Sequence, residues 1–286
     1  MMSSTATERS TTSPTNVLAD INYIGQMTER GKFHAKDTTR DNLKFDTHVM
    51  SIRDARSLPE PPSLDREGFA LVKHKSAVTD YHDPDQIGRV YMAEIEDLIQ
   101  KLTGAVRVVH LGEGGMLRYA ERSPRFGTGI NTHPARFPHI DFTEKTAPGI
   151  NEVFGAPVEK LKPGQRLVGF NVWRAISGKP QDVPLAVCDA RTIERKDLLA
   201  ADGVYDKGDP STWLEIEAYA VHHNPAHRWY YFRDMMPDEA LVFRSYDSDP
   251  EWHGNVPHTA FDDPSCPANV QARVSIEARA YAIIDS

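Results

Sequence analysis

The chain has 286 residues, with 33 Lys+Arg against 41 Asp+Glu and a formal net charge of −8. An apolar fraction of 40% suffices for a core and excludes a wholly disordered chain, while the acidic balance argues against a nucleic-acid binder. No apolar run approaches the roughly 18 residues that a membrane-spanning helix requires.

Residues 1–16 are rich in Ser and Thr and lack an apolar h-region, so they read as a disordered leader rather than a secretory signal. Residues 18–27 are short and mildly apolar. Residues 28–62 are polar and weakly patterned apart from 45–52, so this part is expected to wrap over a core rather than form one. Gly68 opens a compact strand signal over 68–74. Pro84 and Asp85 start a helix over about 85–103, with Asp85 as its cap. Ile87, Val90, Tyr91, Ile95 and Leu98 recur at helical spacing until Gly104 stops it.

Strand signals then dominate, at 106–111, 166–176, 184–187, 213–221, 228–232, 239–244 and 273–284, with 193–200 reading as a helical turn. In 213–221, Trp213, Glu215, Glu217 and Tyr219 alternate with Leu214, Ile216, Ala218 and Ala220. Many short strands, turns rich in Pro, Gly and Asp, and one long helix predict an antiparallel sandwich or barrel. There is no βαβ rhythm, no GxGxxG and no GxxxxGK[ST], so nucleotide-binding folds have no support. A single domain over 17–286 follows. Cys188 and Cys266 lie far apart and outside any CxxC pattern, which disfavours a disulfide framework or a thiolate zinc site and fits a cytoplasmic protein.

Twelve histidines remain as the unusual resource. A mononuclear Fe(II) oxygenase needs two imidazoles and one carboxylate on one face of the metal, leaving positions for a co-substrate and O2. A His-x-Asp on a strand supplies two of these, because residues i and i+2 point to one side. Only His139-Ile140-Asp141 has an acid two places after a histidine; with 41 acids among 286 residues, one or two such matches arise by chance. Its setting, Pro138-His-Ile-Asp-Phe142, alternates polar and apolar side chains like a strand end, although a surface histidine beside a turn aspartate is also compatible. Among later histidines, His222, His223 and His227 surround Asn224-Pro225 without an HExxH glutamate, and read as a polar hairpin tip. His253 falls in an exposed Trp-His-Gly-Asn turn. His258, entering a short apolar segment, is the best third ligand.

A co-substrate such as 2-oxoglutarate requires a buried arginine for its distal carboxylate. Arg273-Val274-Ser275 follows His258, and alternation places Arg273 and Ser275 on one face. Glu277 and Arg279 continue that face, so Arg279 is either the anchor or a partner of Glu277. Asn171, Trp173 and Arg174 lie on an unusually polar strand and are candidate substrate contacts, with a surface salt bridge the alternative for Arg174.

With these residues in place, the chain resembles the fungal and bacterial hydroxylase/desaturase family of Fe(II)/2-oxoglutarate enzymes, related to gibberellin-4 desaturases, the cephamycin 7α-hydroxylase component and fungal meroterpenoid endoperoxidases. The resemblance rests on Phe170-Asn-Val-Trp-Arg-Ala-Ile176, Val183-Pro-Leu-Ala-Val-Cys-Asp-Ala190, Trp229-Tyr-Tyr-Phe-Arg-Asp-Met235, Pro237-Asp-Glu-Ala-Leu-Val-Phe243, Pro257-His-Thr-Ala-Phe261 and Ser275-Ile-Glu-Ala-Arg279. It covers residue 68 to the C-terminus. It implies a mainly β fold with flanking helices, built on a double-stranded β-helix (jelly-roll, cupin-like) core. It also implies Fe(II) held by His139, Asp141 and His258, with 2-oxoglutarate as co-substrate anchored by Arg273 and Ser275, and O2 as oxidant. An intact Asp141 disfavours halogenation. The expected activity is C–H hydroxylation, desaturation or oxidative cyclisation of a small secondary metabolite. The expected partner is that small molecule, with neither nucleic acid nor membrane, and a homodimer is compatible. The rival readings are a cupin-like metalloenzyme without 2-oxoglutarate and a non-catalytic jelly-roll binding module.

Overall fold

The computed structural model describes residues 15–35, 37–112, 114–128, 133–149, 160–205, 214–251 and 254–285. Most of the proposed leader, together with Trp213 and His253, lies outside the described residues. In chain order the strands are β1 (Asn16–Ile24), β2 (Lys32–His34), β3 (Phe45–Asp54), β4 (Phe69–Lys73), β5 (Arg107–His110), β6 (Met116–Tyr119), β7 (His139–Ile140) and β8 (Gln165–Ala175). They continue as β9 (Leu185–Cys188), β10 (Leu198–Tyr205), β11 (Leu214–Val221), β12 (Trp229–Tyr231), β13 (Glu239–Asp247), β14 (His258–Ala260) and β15 (Val274–Asp285).

Two sheets face each other. The larger runs β1-β3-β12-β9-β14-β7-β11-β10-β2 and the smaller β4-β13-β8-β15-β5, with β6 added beside β15. From β7 onward the chain crosses repeatedly between them, with β7, β9 to β12 and β14 in the larger sheet and β8, β13 and β15 in the smaller. This winding is the jelly roll that the family resemblance implies. Its longest ladder joins β8 to β15, from Ser275 opposite Ala175 to Asp285 opposite Gln165.

Period-two alternation divides the smaller sheet into two unlike faces. Val168, Phe170, Val172, Ala240, Val242, Ile276, Ala278, Ala280 and Ala282 pack against the helical run, whose Ile87, Tyr91, Met92, Ile95, Leu98 and Ile99 are buried. Intervening residues, including Asn171, Trp173, Ser275, Glu277 and Arg279, face the larger sheet. Burying each large aliphatic side chain at the helix contact contributes about 1.5–3 kcal/mol. The helical run comprises Pro84–Gln86, a wider π-type turn at Ile87–Tyr91, and Met92–Thr103. Asp83, not Asp85, is the cap: its carboxylate accepts from the Asp85 and Gln86 amides. Gly104, at φ 67°, ends the helix in the left-handed conformation that a residue without Cβ adopts at no steric cost.

Three further expectations about the fold change. The N-terminal part does build core: Val17, Ala19, Ile21 and Tyr23 of β1 pack on Ala186, Cys188, Val221, Trp229 and Tyr231 across the outer side of the larger sheet. Residues 193–200 contain one tight turn at Arg195–Asp197, then enter β10, where pairing of Leu198 with Val221 overrides local helical preference. Finally, His227 is buried rather than at an exposed tip; it bonds Asp197 at 3.1 Å and Tyr23 at 3.2 Å, while His223 stacks on His48 at 3.6 Å.

Candidate active site

The site assembles between the sheets. β7 and β14 are adjacent and antiparallel, with His139 directly opposite His258, so their rings project from one face with centroids 4.2 Å apart. Nδ1 of His139 donates to the Phe137 carbonyl at 3.0 Å, and Nδ1 of His258 to the Val256 carbonyl at 3.4 Å. Each ring thus keeps its Nε2 lone pair for a ligand. Asp141, two residues beyond His139, stays on the same side, and one donor atom from each of the three residues lies within 4.8 Å of the others.

Asp141 is held from both sides. Its Oδ1 accepts from Arg279 at 2.7 Å and its Oδ2 from Asn171 at 2.5 Å. Burial would raise its pKa, but Arg279, His258, His139 and the Asn171 bond together hold the carboxyl well below the usual range. Burial and the neighbouring His258 push the His139 imidazole down to about 4, so it is neutral at pH 7. Two imidazoles and one carboxylate form a donor set that suits an exchangeable divalent iron.

Arg273 and Ser275 share a face of β15, and Arg273 is 2% exposed. Its Nε donates to the Val183 carbonyl at 2.8 Å and one Nη to Ser275 Oγ at 2.5 Å, with the guanidinium 5.9 Å from the centre of the Trp173 ring. No carboxylate among the described residues forms an ion pair with it. Burial, with Arg136 and Arg118 nearby, accordingly pushes its pKa down to about 9. Such a cation calls for a counter-anion. Arg273, Trp173, both histidines and Glu277 line one small chamber of about 30 Å³, which shares Arg118, Pro134, Ala135 and His139 with a cavity of about 460 Å³. His139, Asp141 and Arg279 open onto the larger cavity.

The remaining candidates sit differently. Arg279 bridges Asp141 and Glu277, at 2.7 and 2.8 Å, and so is committed to carboxylates within the protein. Asn171 is fully buried behind Asp141 and orients it. Trp173 walls the small chamber. Arg174 points to the opposite face of β8, where it donates to the carbonyls of His74 and Pro237 and lies over Tyr91. It is neither a pocket residue nor a surface salt bridge, because its odd-numbered neighbours already occupy the inner face. Sequence reasoning missed Arg118, which stands opposite Ser275 across the β6–β15 pair, and the cavity residues Phe33 and His34.

The chain is similar to known proteins along most of its length. Residues 21–283 match the family described as the oxidoreductase/YMDC permease-like domain. The chain is 33% identical over 257 residues to the oxidoreductase AN1597 of Emericella nidulans, covering 82% of this chain and 84% of that one. It is 29% identical to the hydroxylase/desaturase efuI of Hormonema carpetanum, over 87% of this chain and 89% of the relative. It is also 27% identical to the Fe(II)/2-oxoglutarate-dependent dioxygenase nvfI of Aspergillus novofumigatus, over 84% and 85%. A solved structure of the iron and alpha-ketoglutarate-dependent endoperoxidase NvfI superposes with a TM-score of 0.74 at 24% identity, covering 96% of this chain and all of that one, which shows the shared fold. The chain belongs to this oxidoreductase family, among the fungal hydroxylase/desaturase enzymes.

Proposed function

We propose that the chain is an Fe(II)/2-oxoglutarate-dependent oxygenase that oxidises a small secondary metabolite by hydroxylation, desaturation or cyclisation. The observation that carries the reading is the convergence of His139, Asp141 and His258 within 4.8 Å, beside a chamber floored by a buried arginine that has no carboxylate partner among the described residues. His139, Asp141 and His258 would hold the iron, and Arg273 with Ser275 would receive the distal carboxylate of 2-oxoglutarate. Bound there, Fe(II) supplies O2 activation coupled to conversion of 2-oxoglutarate into succinate and CO2.

The protein's own contribution is positional. Arg279 and Asn171 each bond one Asp141 oxygen, which fixes the carboxylate's plane. The carbonyls of Phe137 and Val256 fix both imidazole tautomers. Trp173 excludes water from the guanidinium, which strengthens a charge-assisted pair there. A cupin-like enzyme without 2-oxoglutarate would leave the Arg273–Ser275 pair without a role, and a binding module would not need two tautomer-locked histidines facing a buried carboxylate. The reading extends to a cytoplasmic enzyme without nucleic-acid partners, compatible with a homodimer; no described helix is long and apolar enough to cross a membrane. Anaerobic titration with Fe(II) and 2-oxoglutarate tests it, since chelation by the keto acid gives a weak visible charge-transfer band. Absence of both the band and metal binding would overturn it.

A further inference from the structure

The N-terminal segment reaches the large cavity with a polar device that the iron chemistry does not use. β2 pairs in parallel with β10, placing Phe33 beside Gly203 and His34 beside Val204. Gly203 makes this seat possible, because a Cβ there would lie 2.8 Å from the Phe33 ring. Phe33 meets Phe137 edge-on at 5.3 Å, and Phe137 lies 5.3 Å from the His139 ring, so an aromatic wall connects β2 to the histidines. The short loop after β2 returns Asp41 to His34: Asp41 Oδ1 accepts the His34 backbone amide at 2.7 Å and its ring Nδ1 at 3.2 Å. Asn42 closes the loop by accepting from the Lys32 amide at 2.6 Å. The imidazole is 8% exposed and lines the cavity.

With Nδ1–H donated to Asp41, the ring offers Nε2 as an acceptor, and no described residue bonds it. The cavity is otherwise largely apolar, and its charged lining is balanced, with Arg118, Arg136 and Arg279 against Asp41, Glu121 and Asp141. Arg136 is moreover paired with Glu121 at 2.6 Å. A balanced lining gives no advantage to an anion. A cavity of about 460 Å³ falls within the usual range of about 300–1,000 Å³ for small-molecule sites.

We infer that His34, oriented by Asp41, is a specificity-determining residue that accepts a hydrogen bond from a hydroxyl of an uncharged, mostly apolar substrate and so sets which carbon faces the metal site. The inference rests on the oxygenase reading for the reason a substrate enters this cavity. Three probes separate the chemistry: estrone, with one phenolic hydroxyl; its 3-methyl ether, without a donor; and its 3-sulfate, an anion. Their affinities are measured by equilibrium dialysis of the full chain loaded anaerobically with Fe(II) and 2-oxoglutarate. Estrone should bind about tenfold more tightly than the ether or the sulfate. His34→Leu should reduce estrone to the affinity of the ether while leaving the ether unchanged, and His34→Gln, which keeps an acceptor, should restore much of the difference. Equal binding of estrone and ether, equal losses of both in His34→Leu, preference for the sulfate, or no binding of any probe would overturn the inference. The charge-transfer band recorded on the same samples is independent: its loss in the native protein sinks the oxygenase reading, whereas an intact band with no estrone preference sinks only the role of His34.

Discussion

The two faces of the β8–β15 ladder are made by the same buried strands and differ in chemical character. On one face Val172, Ile276, Ala278 and Ala280 meet the helix in an apolar contact. On the other, Asn171, Trp173, Ser275, Glu277 and Arg279 crowd polar and charged groups around the histidines. Trp173 and Arg174 are adjacent in sequence yet serve opposite sides. Hence a residue's role on this sheet depends on the parity of its position more than on its type, and substitutions on the two faces should separate stability from metal chemistry.

The largest contrast is expected from Asp141→Ala, which should abolish iron binding and turnover, read by metal content after desalting, while the fold persists by circular dichroism. Retained turnover would remove Asp141 from the ligand set. Next, Arg273→Ala should raise the 2-oxoglutarate KM by the loss of a buried charge pair worth about 2–5 kcal/mol, with iron affinity little changed. An unchanged KM would shift the anchor elsewhere. On the helix face, Ile95→Ala should lower unfolding stability by about 2–4 kcal/mol in a urea titration and leave the charge-transfer band intact; a lost band would show that the faces are coupled. The smallest effect is expected from Asn171→Ala, which frees one Asp141 oxygen and should weaken iron affinity about 10- to 100-fold without comparable loss of stability.

Legibility in the sequence followed range. His139 and Asp141 were readable because i and i+2 share a face on any strand, and Arg273 with Ser275 for the same reason. The helix was readable because Ile87, Tyr91, Ile95 and Leu98 repeat with the helical period and Gly104 terminates it. The direct opposition of His139 and His258 was not, since it depends on β14 settling between β7 and β9. The side taken by Arg174 was hidden for a related reason: alternation divides a strand into two faces but does not say which one the helix will cover. β2 escaped notice because three residues carry no period, and its place is set by β10 far along the chain. The family resemblance supplied the jelly roll directly, but it began at residue 68 and so could not anticipate the wall built by Phe33 and His34.

The position of β14 bears on how the protein is made. His258 enters a slot between β7 and β9, and Arg273 follows it only when β15 closes against β8. A nascent chain that has already displayed His139 and Asp141 therefore holds only two of the three proposed donors until β14 has been made. Pairings this distant in sequence form slowly, because the loop they close must be ordered before any contact rewards it. Assembly of the proposed metal site is thereby tied to synthesis of β14, and a chain cut short before it would carry His139 and Asp141 without the third proposed donor.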